Sequence, residues 1–556
     1  GNPWLKECRF SGQLRSRNFL STREQYLIPL SCTAIFKTTP VNATGGSCSQ
    51  VVEMGVRSLL NPVLGPERRQ PDRVPTDTVF QLSAMDSSWM MRMMIMSWTM
   101  CFHDVLDADK LHDSLTELLN IGHWKKLGGR PRLTKDGKIE LHIPDVFTPS
   151  RPAVHFTTEP NPASVKLHPL SSTIPSYFPQ TTAGPRIIDT PENLHSILAG
   201  PEAAKSFDDY NFTDRPAFSL HIITFTDATF VTITYPHSIT DGMGRRELVE
   251  NWCRILAGRR SDVTPMAFPT LDPMAKVAKA SPPRYNEPFT WEHKRLQGWG
   301  VVRFTFGILW YLIRNRIRQR NLFIPATYLA ALRKRAEEDL EKDREAADRL
   351  SDGDILTAWL SRLACSHISE KDTSKPISIS TALDLRGRLH ENDMPPNFAY
   401  VSNVVAYNWT NTNALELLRG TFGRAVALIR NSVRSQLTEA QVYASTRLTY
   451  NAVAESGSTK QFTEPNGFVV SVSNVSKARF HEVIDFSPAI KDGGSDEIRT
   501  TPRGKIVWQC NTPKMKMHPP CLIYIQGKDH GGNYLAQMLV SEKTWRLIEK
   551  EIESSV

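Results

Sequence analysis

The stretch that decides the fold runs from Thr229 to Gly244 and reads TFVTITYPHSITDGMG. Val231, Ile233 and Tyr235 alternate with polar residues, which is the period of a β-strand with one buried face. The residues that follow place an apolar stripe on one helical face, at Leu248, Val249, Trp252, Ile255 and Leu256. The sequence therefore predicts a strand, a short loop and a helix in succession, with His237 in the loop.

Similar elements flank this stretch on both sides. A second strand is predicted over 218–225, and the turn at 226–228 joins it to the first as a hairpin. Upstream, leucines at helical spacing predict a helix over 109–119, and downstream the pattern at 351–354 is typical of a capped helix start. Further strands are predicted over 377–382, 401–407, 468–472, 522–525 and 533–540, with a last helix from about Glu542.

Helices and strands interleave in this order without a strict β-α-β alternation. We therefore predict an α/β chain with mixed sheets, in two large domains. Residues 1–74 lack periodicity and are predicted to be an irregular, basic extension. Residues 258–300 are rich in proline and weakly patterned, which indicates a connection between the domains.

The composition excludes several classes of protein. The 556 residues are 40% hydrophobic and 22% charged, which is ordinary for globular proteins and unlike disordered ones. The net charge is only +9, and residues 1–74 supply much of it with ten Lys or Arg against five Asp or Glu. Because no basic and aromatic stripe occurs elsewhere, nucleic acid is not an expected partner.

Cysteine spacing argues against a metal site and against a disulfide framework. No CxxC pair occurs among Cys8, Cys32, Cys48, Cys101, Cys253, Cys365, Cys510 and Cys521. The longest apolar run, Phe304 to Ile313, has ten residues, about half of what a membrane-spanning helix needs. We expect a soluble, cytoplasmic protein without a bound metal.

The loop between the predicted strand and helix carries the residues best suited to catalysis. Histidine is the usual general base near neutral pH, because its ordinary pKa leaves it mostly unprotonated. Asp241 is expected to fold back into the turn or to pair with an arginine, and Gly242 and Gly244 to permit unusual backbone angles. Spacing alone leaves open whether His237 is a catalytic base or one of fifteen unremarkable histidines.

Five segments together resemble one known family. The segment His237-Ser-Ile-Thr-Asp241-Gly242 is similar to the HxxxDG motif of BAHD-type acyl-CoA-dependent acyltransferases, particularly those of fungal secondary metabolism. The resemblance extends from about Thr76 to the C-terminus. The other matching segments are Leu82–Asp86, Asp354–Leu360, Asp384–Leu389 and Asn397–Asn403.

The resemblance implies a fold and a set of domains. It implies two chloramphenicol-acetyltransferase-like domains with an active-site channel between them. The expected divisions are 1–74 for the extension, 75–265 for the domain with His237, 266–320 for the crossover and 321–556 for the second domain.

The resemblance also implies an activity. His237 would take the proton from an alcohol as it attacks the thioester of acyl-CoA, with acetyl-CoA the expected donor. Ser473 and Asn474 are the candidates for stabilising the oxyanion, and the residues that bind CoA are not identified. No permanently bound cofactor and no metal are implied, and we expect a monomer whose partners are acyl-CoA and a small-molecule alcohol.

One family signature, DFGWG, is matched only by Asp485-Phe486, followed by Ser-Pro-Ala. In the family its aspartate pairs with an arginine and holds the second domain. We therefore expect Asp485 to pair with Arg386 or Arg388.

Two other functions are compatible with the same motif. A condensation-type enzyme would take its acyl group from a carrier protein, but such enzymes carry a second histidine where this chain has Pro236. A relative that kept the fold only as a binding module is the other, because the second signature is degraded.

Two apolar features have alternative interpretations. The segment 304–320 could rest on a membrane surface, but we favour a partly buried crossover helix. Five methionines between residues 90 and 96 are predicted to pack in the core rather than to line an acceptor pocket.

Overall fold

The computed structural model describes residues 68–175, 184–189, 193–341, 350–492, 494, 499 and 501–554. All of them belong to one compact unit, Arg68–Val556. Two residues at the end of the predicted extension contact the chain that follows it. Gln70 donates from Nε2 to the Leu133 carbonyl at 2.7 Å, and Arg73 pairs with Glu140 at 2.5 Å. The rest of the extension lies outside the described residues.

The strands are numbered in chain order. They are β1 Thr78–Gln81, β2 Met94–Phe102, β3 Val105–Leu106, β4 Arg130–Leu133, β5 Ile139–Ile143, β6 His155–Pro160, β7 Arg186–Ile188, β8 Ser219–Thr224, β9 Thr229–Pro236, β10 Ile317–Ile324, β11 Pro376–Asp384, β12 Val405–Asn413, β13 Phe468–Asn474, β14 Ile490–Asp492, β15 Trp508–Asn511, β16 Lys514–Met515, β17 Leu522–Lys528 and β18 Tyr534–Ser541.

The helices follow the same convention. They are α1 Trp89–Arg92, α2 Ala108–Leu119, α3 Leu194–Ala199, α4 Asp208–Asn211, α5 Gly242–Leu256, α6 Pro273–Lys279, α7 Trp299–Arg314, α8 Ala326–Asp339, α9 Asp352–Cys365, α10 Phe422–Gln436, α11 Glu439–Ser456, α12 Phe480–Val483 and α13 Glu542–Ser554.

Two large sheets organise these elements. A six-stranded sheet has the order β15-β2-β9-β8-β6, with β16 also paired to β2, and a seven-stranded sheet has the order β12-β11-β13-β17-β18-β10-β7. Parallel pairs such as β6 with β8 and β11 with β13 occur beside antiparallel ones. The prediction of an α/β fold with mixed sheets is therefore confirmed.

Each large sheet has its own hydrophobic core. Helices α2 and α5 pack on the six-stranded sheet through side chains such as Leu111, Leu115 and Trp252. Helices α8, α9, α10 and α13 cover the seven-stranded sheet, where Trp359 and Trp545 are buried. One buried core of this kind is what a domain of helices packed on a sheet needs to be stable.

Two strands cross between the halves of the chain. Strand β7 comes from the first half but pairs with β10, with Phe323 opposite Arg186. Strand β15 comes from the second half but pairs with β2, with Asn511 opposite Trp98. Each large sheet is thus completed by chain from the other half.

The hairpin predicted at the centre of the first sheet is present. β8 and β9 are antiparallel, with Ser219 opposite Thr234, and the Phe225 amide donates to the Ala228 carbonyl at 2.8 Å across the turn. β9 also pairs with β2, so that it lies inside the sheet with every side chain buried. His237, the next residue after β9, is therefore fixed at the end of a central strand.

The five described cysteines, Cys101, Cys253, Cys365, Cys510 and Cys521, are free thiols. Burial raises the pKa of the Cys253 thiol to about 12. Within the described ranges, no helix is both long and apolar enough to cross a bilayer.

Candidate active site

His237 lies in the wall of a cavity of about 1410 Å³. The backbone of the residue is held at both ends. Its amide donates to the Met94 carbonyl on β2 at 2.9 Å, and its carbonyl accepts from Asn403 Nδ2 at 2.9 Å. The position of the imidazole is thus set by two different segments of the chain.

The electrostatics of the site favour a neutral imidazole. Burial lowers the pKa of His237 below its ordinary 6.5, while its own backbone carbonyl and Asp241 act in the opposite direction. The Nδ1 atom is buried. Nε2 is therefore the nitrogen that can meet a molecule in the cavity.

Asp241 does not orient the histidine ring. It is the N-cap of α5, where its Oδ1 accepts from the Gly244 amide at 2.7 Å. Its carboxylate also pairs with the Arg386 guanidinium at 3.0 Å, and its Oδ2 accepts from the Val404 amide at 3.1 Å. The prediction that Asp241 pairs with an arginine is confirmed.

Arg386 holds this loop against the second half of the chain. Its guanidinium donates to Asp241, to Asp384 Oδ1 at 2.7 Å and to the backbone carbonyls of Tyr400 and Ser402 at 2.8 Å. A planar guanidinium with donors in a fixed fork suits such a set of acceptors. The side chain is therefore a brace between α5 and the chain at 400–404.

This use of the backbone corrects one predicted strand. The sequence predicts a strand over 401–407, but β12 begins at Val405. The backbone groups of residues 400 and 402–404 bind the side chains of Arg386, Asp86 and Asp241 instead of a neighbouring strand. Apolar periodicity does not reveal that difference.

The expected pairing of Asp485 with Arg386 or Arg388 is wrong. Asp485 pairs with Lys505 at 3.3 Å and accepts from the Ser487 amide at 3.0 Å. The bonds described above commit Arg386 to other acceptors, and the backbone amide of Arg388 caps a turn at the Leu385 carbonyl. The Asp485 side chain is 45% exposed, so this pair is a surface contact.

Phe486, rather than Asp485, anchors this segment. Its ring is fully buried and stacks on Phe102 with centroids 5.2 Å apart, while Trp252 meets it edge-on at 4.7 Å. The match of Asp485-Phe486 to the family signature therefore reflects the packing of Phe486 in the core of the six-stranded sheet, more than an ion pair of Asp485.

Replacing Asp485 with asparagine should change the free energy of unfolding by less than about 1 kcal/mol, as for exposed ion pairs. The Ser487 hydrogen bond survives the change, since an amide oxygen can accept it. Urea denaturation measures the difference. A loss of several kcal/mol would show that Asp485 braces the fold after all.

Gly242 and Gly244 are needed because they have no side chain, and not because of their backbone angles. Gly242 and Gly244 lie in the first turn of α5, and neither has a positive φ. A Cβ atom at Gly244 would lie 2.3 Å from the Val401 carbonyl oxygen, and one at Gly242 would lie 2.5 Å from Val475 Cγ1. Both glycines let α5 approach the second half of the chain closely.

Ser473 and Asn474 lie at the end of β13 and line the same cavity as His237. The Asn474 Oδ1 accepts from the Ser476 amide at 2.9 Å. That bond orients the side chain and leaves its Nδ2 group available as a donor.

The sequence analysis assigned no role to several residues that the structure places at the site. Asp86 is buried and accepts from both the amide and the Nδ2 of Asn403 at 2.8 Å, so it holds the residue that holds His237. Burial raises the pKa of Asp86, while Lys126 opposes that shift. Both Asp86 and Asn403 lie in matched segments, but nothing in the spacing shows that they meet.

A buried arginine forms another part of the cavity wall. Arg245 lies over the Trp98 ring at 4.7 Å and donates to Tyr524 Oη at 2.5 Å and to Asn511 Oδ1 at 2.9 Å. Asn511 belongs to the crossing strand β15. The crossing strand thus reaches the site itself.

The prediction for the methionines is confirmed in part. Met91 belongs to a buried core, and Met90, Met94 and Met96 pack against a core. All five methionines, Met93 included, also line the cavity together with Trp89. They therefore combine core packing with an adaptable lining of the cavity.

Comparison with known proteins agrees with this geometry. The model of the Transferase family matches residues 201–486. The "Transcriptional regulator calD" of Penicillium decumbens is 32% identical over 87% of this chain and 96% of its own. The "O-acetyltransferase PaAT-2" of Phomopsis amygdali is 31% identical over 86% of this chain and 98% of its own.

A solved structure shares the fold. The crystal structure of F. graminearum TRI101 complexed with coenzyme A and T-2 mycotoxin has a TM-score of 0.57 at 12% identity, covering 85% of this chain and 97% of that one. The family model and the full-length relatives, taken with the placement of His237 and Asp241, lead to one conclusion. The chain belongs to the Transferase family, the BAHD-type acyltransferases that its HxxxDG-like segment resembles.

Proposed function

We propose that this chain is an acyl-CoA-dependent O-acyltransferase that moves an acetyl group from acetyl-CoA to a hydroxyl of a small, apolar secondary metabolite. The observation that carries the proposal is His237, a histidine with a lowered pKa, fixed by two backbone hydrogen bonds in the wall of a large cavity. The PaAT-2 relative, named an O-acetyltransferase, supports the same reaction.

The chemistry follows from the position of Nε2. The acceptor hydroxyl gives its proton to His237 Nε2 while its oxygen attacks the thioester carbonyl carbon, and a tetrahedral oxyanion forms. The carbon–sulfur bond then breaks, and the thiolate of CoA takes the proton back from the imidazolium. The ester is released with free CoA, and no acyl-enzyme is formed.

The oxyanion needs donors that are already in place. Ser473 and Asn474 are our candidates, because both line the cavity and the Asn474 amide is oriented by Ser476. One such donor is worth about 3 kcal/mol in enzymes where it has been removed.

The cavity wall supports an apolar acceptor and a phosphorylated donor. The methionines at 90–96 and Trp89 give one part of the wall a soft, adaptable apolar surface. Lys375 and Lys460 line another part and would suit the phosphates of CoA. The proposal also includes a monomer that acts in the cytoplasm.

The test uses the purified full chain with acetyl-CoA and a panel of apolar polycyclic alcohols. Release of CoA is followed with a thiol reagent, and the product is identified by a mass gain of one acetyl group. Acetyl groups on a carrier protein serve as the alternative donor. Turnover with the carrier alone would favour a condensation-type enzyme, and no turnover with either donor would favour a binding module.

The pH dependence follows from the lowered pKa of His237. The base works in its neutral form, so kcat/KM should fall at low pH with a midpoint below 6.5. A histidine with a raised pKa would instead lose activity between pH 8 and 7. Initial rates between pH 5 and 8 with saturating acetyl-CoA distinguish the two cases. A midpoint above 6.5 would contradict the assignment.

A further inference from the structure

Helix α7, Trp299–Arg314, leaves an apolar face in solvent. Only Phe304 of the helix is buried. The exposed stripe consists of Trp299, Val302, Phe306, Trp310 and Ile313, and Trp299 and Ile313 are 84% and 75% exposed. These positions are three or four residues apart, which places them along one side of the helix for about 21 Å.

Near this stripe along the chain, every charged residue is basic. The sequence contains no Asp or Glu from residue 293 to residue 336. Exposed arginines follow the stripe at 314, 316 and 318, and the Arg314 guanidinium lies over the Trp310 ring at 5.2 Å. Glu542 lies 3.7 and 3.9 Å from Arg316 and Arg318 and partly neutralises their charges. The charge of Arg314 is therefore the least neutralised of the three.

We propose that the outer face of α7 binds the surface of an anionic phospholipid bilayer. Tryptophan and phenylalanine side chains on such a helix insert at the boundary between headgroups and acyl chains, and the flanking arginines bind the anionic headgroups. The surface of a soluble protein partner carries charges of both signs, so binding to it would not require that residues 293–336 of this chain lack carboxylates. The helix lies on the membrane and does not cross it.

The inner face of the same helix adds a consequence. Phe304, Ile308 and Tyr311 line the cavity that contains His237, and Phe306 of the exposed stripe borders it as well. A bilayer bound to the outer face is therefore one helix away from the cavity, in a position to deliver an apolar acceptor. Only this consequence rests on the proposed function, because binding to lipid is measured without substrates.

The experiment is flotation of the full chain with vesicles of phosphatidylcholine alone or with 30% phosphatidylserine, roughly the charge of an anionic leaflet. We expect about tenfold more protein to float with the anionic vesicles. The double variant Trp310→Ser/Ile313→Ser should lose at least that factor, and Arg314→Gln should lose about fivefold. None of these three residues lines the cavity.

A matched control is available elsewhere on the surface. Leu167 is 83% exposed and far in sequence from α7, so Leu167→Ser removes a similar apolar side chain. It should float like the wild type, and all variants should melt at the wild-type temperature. Acetyl transfer to a water-soluble alcohol in the absence of vesicles should also stay unchanged in the double variant.

Three results would overturn the proposal. One is wild-type protein that floats with neither kind of vesicle, and another is a double variant that floats as well as the wild type. The third is a wild-type dimer, seen by light scattering without lipid, that the double variant converts to a monomer. That result would assign the face to a second copy of the chain.

Discussion

The His237→Ala variant is expected to lose between about 10² and 10⁴ in kcat, the usual contribution of a general base. Asp241 cannot accept the proton of the acceptor in its place, because its carboxylate is fully engaged with Arg386, Gly244 and Val404. The measurement is steady-state release of CoA with a saturating acceptor. The variant should remain folded, since both hydrogen bonds of residue 237 are made by its backbone.

The cavity offers a matched control for this substitution. His518 lines the same cavity, and burial lowers its pKa as well. Its replacement by alanine should leave kcat within about threefold of the wild type. An equal loss in both variants would mean that the cavity, and not the base at 237, limits the rate. Near wild-type turnover in His237→Ala would remove the histidine from the mechanism.

Replacing Arg386 with methionine should lower the free energy of unfolding by about 3–5 kcal/mol. The change leaves two carboxylates, Asp241 and Asp384, without their cation, and two backbone carbonyls without a donor. Asp241 is only 8% exposed, so water cannot replace the guanidinium easily. Urea denaturation, followed by circular dichroism, gives the difference directly.

The neighbouring Arg388 provides the comparison for this prediction. It is half-buried two residues further along, and Arg388→Met should cost no more than about 1 kcal/mol. Arg386→Lys keeps the charge but not the fork, and should fall between the wild type and the methionine variant. Equal urea midpoints for Arg386→Met and Arg388→Met would show that the brace contributes nothing to stability.

Short-range patterns in the sequence predicted the local structure of the site well. The alternation in β9 and the apolar stripe of α5 fixed where His237 lies, and the capping pattern at Ser351 is a capping box in the structure. Each of these features depends on residues within a few positions of one another. Periodicity and capping report on that range only.

The error with the largest effect on the description of the site concerns contacts between distant segments. Asp241 and Arg386 are 145 residues apart, and no local pattern shows whether Arg386 meets Asp241 or Asp485. The sequence did not show that the methionines also line the cavity, because much of the opposite wall comes from the second half of the chain. Nothing in the sequence around Lys505 indicates that it pairs with Asp485 in the folded chain.

The crossing of β15 into the first sheet has a consequence for synthesis of the protein. On the ribosome, β2 emerges about 400 residues before its partner β15. At typical translation rates of 5–20 residues per second, one edge of β2 waits about 20–80 s for that partner. An unpaired strand edge of this kind is a template for aggregation. We therefore expect nascent chains to depend on a chaperone over this interval. Recombinant yield should therefore depend more on chaperone supply than on the stability of the finished molecule.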